Sequence, residues 1–147
     1  MPTTPFERSR CPIANVLDLF GDRWTLLVVR DLLLAGRHRF AELEAGGESI
    51  PTNILADRLE RLQAARIVSR RRYQKKPPRY EYHLTKRGRD LGPVLREMGI
   101  WAGKHLPGTF RPTPRMMEIL SGGPEKEPRL TSRSAPRPEP TAKPSPD

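Results

Sequence analysis

Two stretches of β-forming residues, at positions 68–73 and 79–84, flank a short tip that contains Pro77 and Pro78. Proline lacks the backbone N–H that a strand ladder needs, so the tip is predicted to be a loop that joins an antiparallel ribbon. Six Lys or Arg residues and no acidic residue lie between positions 69 and 80. This charge favours a polyanionic partner. Protection of a strand edge is the simpler explanation, but it needs only about one or two lysines.

The segment before the ribbon, residues 51–65, has the spacing of an amphipathic helix. Its leucines share one face: Leu55, Leu59 and Leu62. A short helix with Phe40 and Leu43 on one side and a turn at Gly46 and Gly47 come before it. A short helix, a glycine turn, a longer helix and a basic ribbon follow the order of a winged helix-turn-helix. The sequence therefore predicts a mainly α fold with a small antiparallel β-ribbon.

Three further helices are predicted around this unit. The first begins near Pro12 and ends at Gly21. Asp22 is expected to cap the second. The inward side of this helix is predicted to hold Trp24, Leu27, Val28, Leu32 and Leu33, and the neighbours Leu26 and Val29 widen the apolar stripe. Thr85 is expected to cap the last helix, which Gly92 and Pro93 should bend in its first turns. A short apolar segment near residue 120 is expected to dock on the body.

Charge and composition locate the folded part of the chain. The net charge of the 147 residues is +10, and residues 1–120 carry +9 of it. Residues 121–147 contain seven prolines and almost no large apolar side chain, so we expect a disordered tail. The predicted organisation is a flexible N-terminus at 1–10, a winged helix-turn-helix domain at 11–107, a short extension at 108–120 and the tail at 121–147.

Cysteine content and hydropathy give expectations about the compartment. Cys11 is the one cysteine, so no disulfide can form within a chain, which suits a reducing cytoplasm. The most apolar segment, residues 26–34, contains Arg30 and Asp31 and is too short to span a bilayer. We therefore expect a cytoplasmic protein with no membrane partner.

The helix at 51–65 is the candidate recognition helix, because the N-terminal turn of such a helix meets base edges in the major groove. Thr52 and Asn53 are predicted to read bases, with Ala56 and Asp57 one turn on. Arg58 suits either a DNA phosphate or a pair with Asp57. A solvated polar face is the alternative for this helix taken alone.

The other predicted phosphate contacts lie on the ribbon and just before the short helix. They are Arg39, Arg70, Arg72, Lys75, Lys76 and Arg79. About six neutralised phosphates per subunit correspond to a slope of log K against log salt near −5.

Several motifs together resemble one bacterial family. They are Cys11-Pro12, the GDRWT run at 21–25, the RFAEL run at 39–43, the LADRLERL run at 55–62, the PRYEYHLTKRG run at 78–88, and Trp101. The chain is similar to the HxlR-type transcription regulators over residues 11–105. That resemblance implies a winged helix-turn-helix related to the MarR group. It also implies a homodimer of first and last helices on a palindromic operator. The glycine turn at 44–49 and the tail depart from the family pattern.

The predicted dimer interface comprises apolar residues of the first and last helices: Ile13, Leu17, Leu95, Met98 and Trp101. The broad stripe of the last helix supports this, although covering the monomer core is the alternative. Cys11 stands before a helix N-terminus near Arg8 and Arg10, which favours thiolate. Relatives in the family use a cysteine here to sense quinones or oxidants, so Cys11 is a candidate redox sensor; a small buried interface residue is the alternative.

The function predicted from the sequence is sequence-specific DNA binding by a homodimeric repressor, with an unknown effector. The alternative is a non-sequence-specific DNA- or RNA-binding module, or a winged helix that binds protein. His38, His83 and His105 are scattered and match no triad or metal-ligand spacing. No catalytic residue, metal or cofactor is therefore predicted.

Overall fold

The computed structural model describes residues 9–122 of the chain, which contain short helices and one hairpin. In chain order the elements are α1 (Pro12–Phe20), α2 (Thr25–Leu34), α3 (Phe40–Glu44), α4 (Thr52–Ala64), β1 (Val68–Gln74), β2 (Arg79–Leu84), α5 (Lys86–Arg89), α6 (Gly92–His105) and α7 (Pro114–Leu120). The predicted fold, mainly helical with an antiparallel ribbon, is confirmed. The predicted N-terminal segment 1–10 and tail 121–147 lie almost wholly outside the described residues, so those boundaries stay predictions.

The core forms where α4 packs against α2. The leucine stripe of α4 is buried as predicted, and Val28 and Val29 of α2 are fully buried with it. The predicted inward face of α2 was partly wrong, because Leu27 and Leu33 are only half-buried. The sequence of α2 is apolar almost all round, so its periodicity does not reveal which side faces α4.

The ribbon, which we call the wing, pairs β1 with β2 in one antiparallel register from Val68 opposite Leu84 to Gln74 opposite Arg79. The register shifts between Arg72 and Gln74. A single bridge from Arg39 to Glu81 adds the chain just before α3 to the edge of β2. The N–H of Tyr82 donates to the carbonyl of His38 at 2.7 Å, so the wing is joined to the start of α3.

The base of the wing is closed by the residues that follow β2. The N–H of Thr85 donates to the carbonyl of Ile67 at 3.0 Å, and its hydroxyl donates to the carbonyl of Arg66 at 2.6 Å. Gly88 packs against this point, because a Cβ added there would lie 2.3 Å from the oxygen of Ile67. Only glycine allows this approach, and the two ends of the wing are therefore held together.

The predicted last helix is two helices. Thr85 caps the short α5, where its hydroxyl accepts from the N–H of Gly88 at 3.2 Å, and α6 starts at Gly92. The predicted bend at Gly92 and Pro93 is thus a complete break, since proline fits the first turn of a new helix better than a helix interior.

The segment after α6 docks on the body, as predicted. Leu120 of α7 is buried, and α7 contacts both α2 and α6. Within residues 9–122, no helix has the length and apolar character needed to cross a membrane.

Candidate nucleic-acid interface

The outward face of α4 is the first part of the candidate interface. Burial of its leucines turns the predicted base-reading residues to the exterior, and all four are exposed: Thr52, Asn53, Ala56 and Asp57. Ala56 also lines a shallow depression between α4 and the wing, together with Arg70 and Tyr82. The polar face of α4 and the wing therefore border one continuous surface.

Two of these four residues already have partners within the chain. The hydroxyl of Thr52 donates to a carboxylate oxygen of Glu44 on α3. The oxygen of this hydroxyl can therefore still accept a hydrogen bond. The carboxylate of Asp57 accepts from Arg58. Asn53 is exposed at the first turn of α4, where its amide can both donate and accept.

Arg58, which was predicted to contact either a phosphate or Asp57, lies between two carboxylates. Its Nε donates to Oδ2 of Asp22 at 2.8 Å and its Nη1 to Asp57, and the side chain is only 16% exposed. The pair with Asp57 is the second of the two alternatives. Because the guanidinium is engaged on both sides, Arg58 anchors α4 to the start of α2 and is not a free phosphate ligand in this arrangement.

Asp22 performs two tasks at this anchor. Its Oδ2 accepts from the N–H groups of Trp24 at 3.0 Å and Thr25 at 3.2 Å, which satisfies the free donors at the start of α2 as predicted. Burial acts to raise the pKa of Asp22, but hydrogen bonds from Thr25, Arg58 and Trp24 outweigh it and hold the pKa well below its ordinary value. Asp22 therefore stays ionised at neutral pH.

The cations of the wing divide between its two faces. In the observed register Arg70 and Arg72 share a face with Tyr80 and Tyr82, and Arg71 lies on the other face. The guanidinium of Arg70 lies 4.1 Å from the ring centroid of Tyr80, a cation–π contact that orients it.

At the tip of the wing, Lys75, Lys76 and Arg79 are all exposed. The side-chain amide of Gln74 donates to the carbonyls of Lys76 and Pro77, both at 3.2 Å, and shapes the turn from within. The tip therefore presents its cations to the exterior on a loop with its own hydrogen bonds.

Arg39 stands where α3 meets the wing. Its guanidinium lies 4.5 Å from the ring centroid of Tyr73, and its Nε is 3.8 Å from Glu81. Glu42 accepts from the backbone N–H groups of Arg39 and His38, and these bonds lower the pKa of its carboxyl. The carboxylate of Glu42 thus fixes the first turn of α3, and with it the position of Arg39.

A buried acid that the sequence did not single out supports the turn between α3 and α4. Asp31 of α2 is 3% exposed, and its carboxylate pairs with Arg30 at 2.9 Å and Arg37 at 3.2 Å. Gly46 lies against it, because a Cβ there would be 2.9 Å from Oδ2 of Asp31. The signal available in the sequence was an acid within an apolar helix, which is rare without a paired partner.

The predicted interface residues of α1 and α6 are mostly exposed. Ile13 is 70% exposed, Leu17 59%, Met98 50% and Trp101 58%. Leu95 differs, because it packs partly against the core, so it supports the fold of the subunit. Cys11 is exposed at the N-cap position of α1 and its N–H donates to Ser9 Oγ at 3.0 Å.

Potential metal ligands are dispersed in the part of the chain that the structure describes. Among residues 9–122, no group of three or more His, Cys, Asp or Glu side chains is arranged to hold a metal ion. His38 and His83 stack with their ring centroids 4.4 Å apart, and His38 Nδ1 is 2.9 Å from the carbonyl of Tyr82. These two histidines thus lie at the junction of α3 and the wing.

Residues 19–109 of the chain match the model of a protein family described as an HxlR-like helix-turn-helix. The HTH-type transcriptional regulator YvaP of Bacillus subtilis is 35% identical over 105 residues, which cover 71% of this chain and 96% of YvaP. An HTH-type transcriptional regulator of Synechocystis is 41% identical over 88 residues, which cover 60% of this chain and 64% of that protein.

Solved structures of transcriptional regulators have the same architecture. The reduced form of YodB from B. subtilis superposes with a TM-score of 0.56 at 31% identity, over 69% of this chain and 100% of YodB. The oxidised form of the redox regulator HypR gives 0.56 at 34% identity, over 65% and 97%. A MarR-family regulator from Porphyromonas gingivalis gives 0.60 at 28% identity, over 67% and 95%. The winged helix-turn-helix prediction is confirmed.

Asp22→Asn is expected to lower the free energy of unfolding by about 1–2 kcal/mol at pH 7, because the amide keeps a capping oxygen but loses the charge-assisted bond to Arg58. Folding lowers the pKa of Asp22. Its carboxylate therefore contributes fully above about pH 4, and the contribution is lost as the pH falls further. Urea unfolding of both proteins at pH 7 and pH 3 should show the difference narrowing at pH 3.

The matched control is Asp90→Asn, which removes an exposed carboxylate paired with Lys86 at the surface. This control should change stability little at either pH. An equal loss from the two substitutions, or a loss from Asp22→Asn that is independent of pH, contradicts the anchoring role of Asp22.

Proposed function

Because the chain belongs to the HxlR-like helix-turn-helix family of DNA-binding transcriptional regulators, we propose that it represses transcription by binding a palindromic operator as a homodimer. One observation carries the proposal: the exposed polar face of α4 borders a cationic wing. Repression is the proposed sign, since occupation of an operator is enough to exclude a polymerase. Activation requires a further contact with it.

The first turn of α4 is proposed to read bases in the major groove. The amide of Asn53 matches the N6 and N7 positions of adenine. The hydroxyl of Thr52 donates to Glu44, so it faces a base as an acceptor and suits an amino group of adenine or cytosine. Ala56 suits a thymine methyl, and the carboxylate of Asp57 suits the amino group of cytosine.

The wing is proposed to hold the phosphate backbone. The proposed phosphate contacts are exposed: Arg70, Arg72, Lys75, Lys76 and Arg79 on the wing, with Arg39 at the start of α3. If all six of these cations neutralise a phosphate, the slope of log K against log salt is near −5 per subunit. Arg58 leaves this group, because Asp22 and Asp57 hold it. Phosphate contacts of this kind position a protein on DNA and carry no sequence information directly.

A second copy of the chain is the proposed occupant of the apolar surface on α1 and α6. Large apolar side chains are exposed on both helices: Ile13 and Leu17 on α1, and Met98 and Trp101 on α6. Exposed Met and Trp are typical anchors of protein interfaces. A two-fold dimer also places two recognition helices on two half-sites of a palindrome.

Asn53→Ala is expected to weaken operator binding by about 1–3 kcal/mol and to relax preference at one base pair, because a bidentate contact is lost. Lys75→Ala, the matched comparison, should weaken binding to all sequences alike and flatten the salt slope by about 1. Titrations of both variants with the DNA upstream of the gene, with single-base variants of it and with random duplex measure these effects. Full sequence discrimination by Asn53→Ala contradicts the placement of α4.

The alternative is a winged helix that binds DNA or RNA without sequence preference, or that binds protein. The wing cations would serve such a module equally well, since they act on any phosphate backbone. Competition between the upstream DNA, random duplex and RNA separates these functions. Equal affinity for the three would exclude a specific repressor.

Trp101→Glu is expected to shift the homodimer to monomer at micromolar concentrations, because a charge at the centre of an apolar interface must be desolvated without a partner. Sedimentation velocity measures the change, with circular dichroism to show that the helices persist. Arg115→Glu on α7 is the control and should leave the dimer intact. A monomeric parent protein at tens of micromolar contradicts the proposed interface.

Cys11 is proposed to respond to oxidants, since its thiol is exposed and two similar structures are of redox-treated regulators, oxidised HypR and diamide-treated YodB. With one cysteine per chain, two Cys11 thiols of a dimer can form a disulfide. They lose two protons and two electrons to the azo bond of diamide, which becomes a hydrazine. A small thiol can instead form a mixed disulfide.

Diamide is expected to reduce operator affinity of the parent protein, and Cys11→Ser is expected to abolish that response while it keeps the affinity of the reduced protein. Gel shift before and after oxidation and again after dithiothreitol measures the effect, and non-reducing electrophoresis identifies the disulfide. Unchanged DNA binding after complete loss of free thiol contradicts sensing by Cys11.

A further inference from the structure

Glu81 is the one acidic residue of the wing sequence. Residues 68–84 contain six Lys or Arg residues, and Glu81 is the single acid among them. It lies near the middle of β2, directly opposite Arg71 of β1. A carboxylate at this position lowers the net charge of a surface whose other charged groups suit phosphate.

The Glu81 carboxylate contacts three basic side chains from three parts of the chain. Oε1 is 3.8 Å from Nε of Arg39, just before α3, and Oε2 is 3.9 Å from Nη2 of Arg71 on β1. Oε2 also lies 3.2 Å from Nε2 of His83 on β2, and the His83 ring stacks on His38. The side chain of Glu81 is 22% exposed, whereas those of Arg39 and Arg71 are more than half exposed.

The ladder around Glu81 does not depend on this carboxylate. The bridge between Arg39 and Glu81 and the bond from the N–H of Tyr82 to His38 are formed by the backbone. The side chain of Glu81 points away from the face of Tyr82 and Leu84, which pack partly against the core. A neutral side chain of the same shape can therefore keep the strand pairing.

We propose that Glu81 is a specificity-determining residue, which holds Arg39 and Arg71 back from the phosphate backbone. Ion pairs near 4 Å at a solvated surface are weak, so a phosphate can compete with Glu81 for each arginine. The carboxylate thus lowers the effective number of phosphate contacts without removing a cation. This inference rests on the proposed DNA-binding function.

The consequence is a wider gap between operator and random DNA. Random duplex is bound almost entirely through phosphate contacts, whereas operator binding also includes base contacts from α4. On the operator the base contacts fix where the wing lies on the backbone, whereas on random duplex the two released arginines can reach the nearest phosphates, so they strengthen the first kind of binding more than the second. Because Glu81 offsets part of the positive charge of the wing, a larger share of the discrimination between sequences comes from Thr52 and Asn53.

The test is Glu81→Gln in the full chain, measured on random duplex and on the upstream DNA over a range of salt concentrations. Each additional phosphate contact should steepen the slope by about 0.9, so we expect a change of about 1–2 per subunit on random duplex. At about 0.1 M salt the affinity for random duplex should rise by roughly 3- to 10-fold per subunit, with a smaller ratio of operator to random binding. Glu118→Gln on α7 adds the same charge away from the wing and is expected to leave the slope unchanged.

A double variant separates release of an arginine from a general charge effect. Arg39→Gln should lower the affinity for random duplex more in the Glu81→Gln protein than in the parent protein, because only the released Arg39 contacts phosphate fully. An unchanged salt slope for Glu81→Gln overturns the proposal. A lower affinity together with a lower melting temperature also overturns it and indicates a purely structural role for Glu81.

The proposed function is tested by a different measurement, the preference of the parent protein for upstream DNA. Absence of any preference of the parent protein for upstream DNA over random duplex refutes the specific regulator. The effect of Glu81→Gln on random duplex still reports whether the carboxylate restrains the wing.

Discussion

The contact between Asp22 and Arg58 determines how α4, the proposed recognition helix, is oriented on the body. The apolar packing of α4 on α2 buries three leucines, but such packing is non-directional and fixes a helix only approximately. The bond from Arg58 Nε to Asp22 at 2.8 Å is directional, and Asp22 also caps α2. One carboxylate therefore relates the first turn of α2 to the middle of α4. The exposure of Thr52 and Asn53 depends on that relation.

Charge is distributed so that recognition and attraction belong to different elements. The cations of α4 are paired or balanced by Asp57 and Glu60, so its outward face is close to neutral. The wing carries six cations and one acid. In the proposed complex, the nearly neutral α4 would select the sequence by shape and hydrogen bonding, and the positive wing would supply affinity by long-range attraction.

Local patterns predicted the elements of this fold, and long-range contacts decided the rest. The leucine period of α4, the two β-forming stretches of the wing and the prolines of its tip could be recognised in the sequence, because neighbouring residues determine them. The inward face of α2 was not, since its apolar residues surround the helix. The pair of Asp22 with Arg58 joins residues far apart in sequence. The burial of Asp31 and the gathering of Arg39, Arg71 and His83 around Glu81 likewise need the tertiary arrangement.

The closed base of the wing has a consequence for the cost of association. Thr85, Ile67 and Gly88 lock the two ends of the ribbon together, and the cation–π contact of Arg70 with Tyr80 orders a long side chain in advance. Much of the conformational entropy that a flexible wing would lose on association is therefore already lost when the protein folds. The wing is therefore preorganised for association, and the conformational freedom that is left belongs to the lysine side chains of its tip.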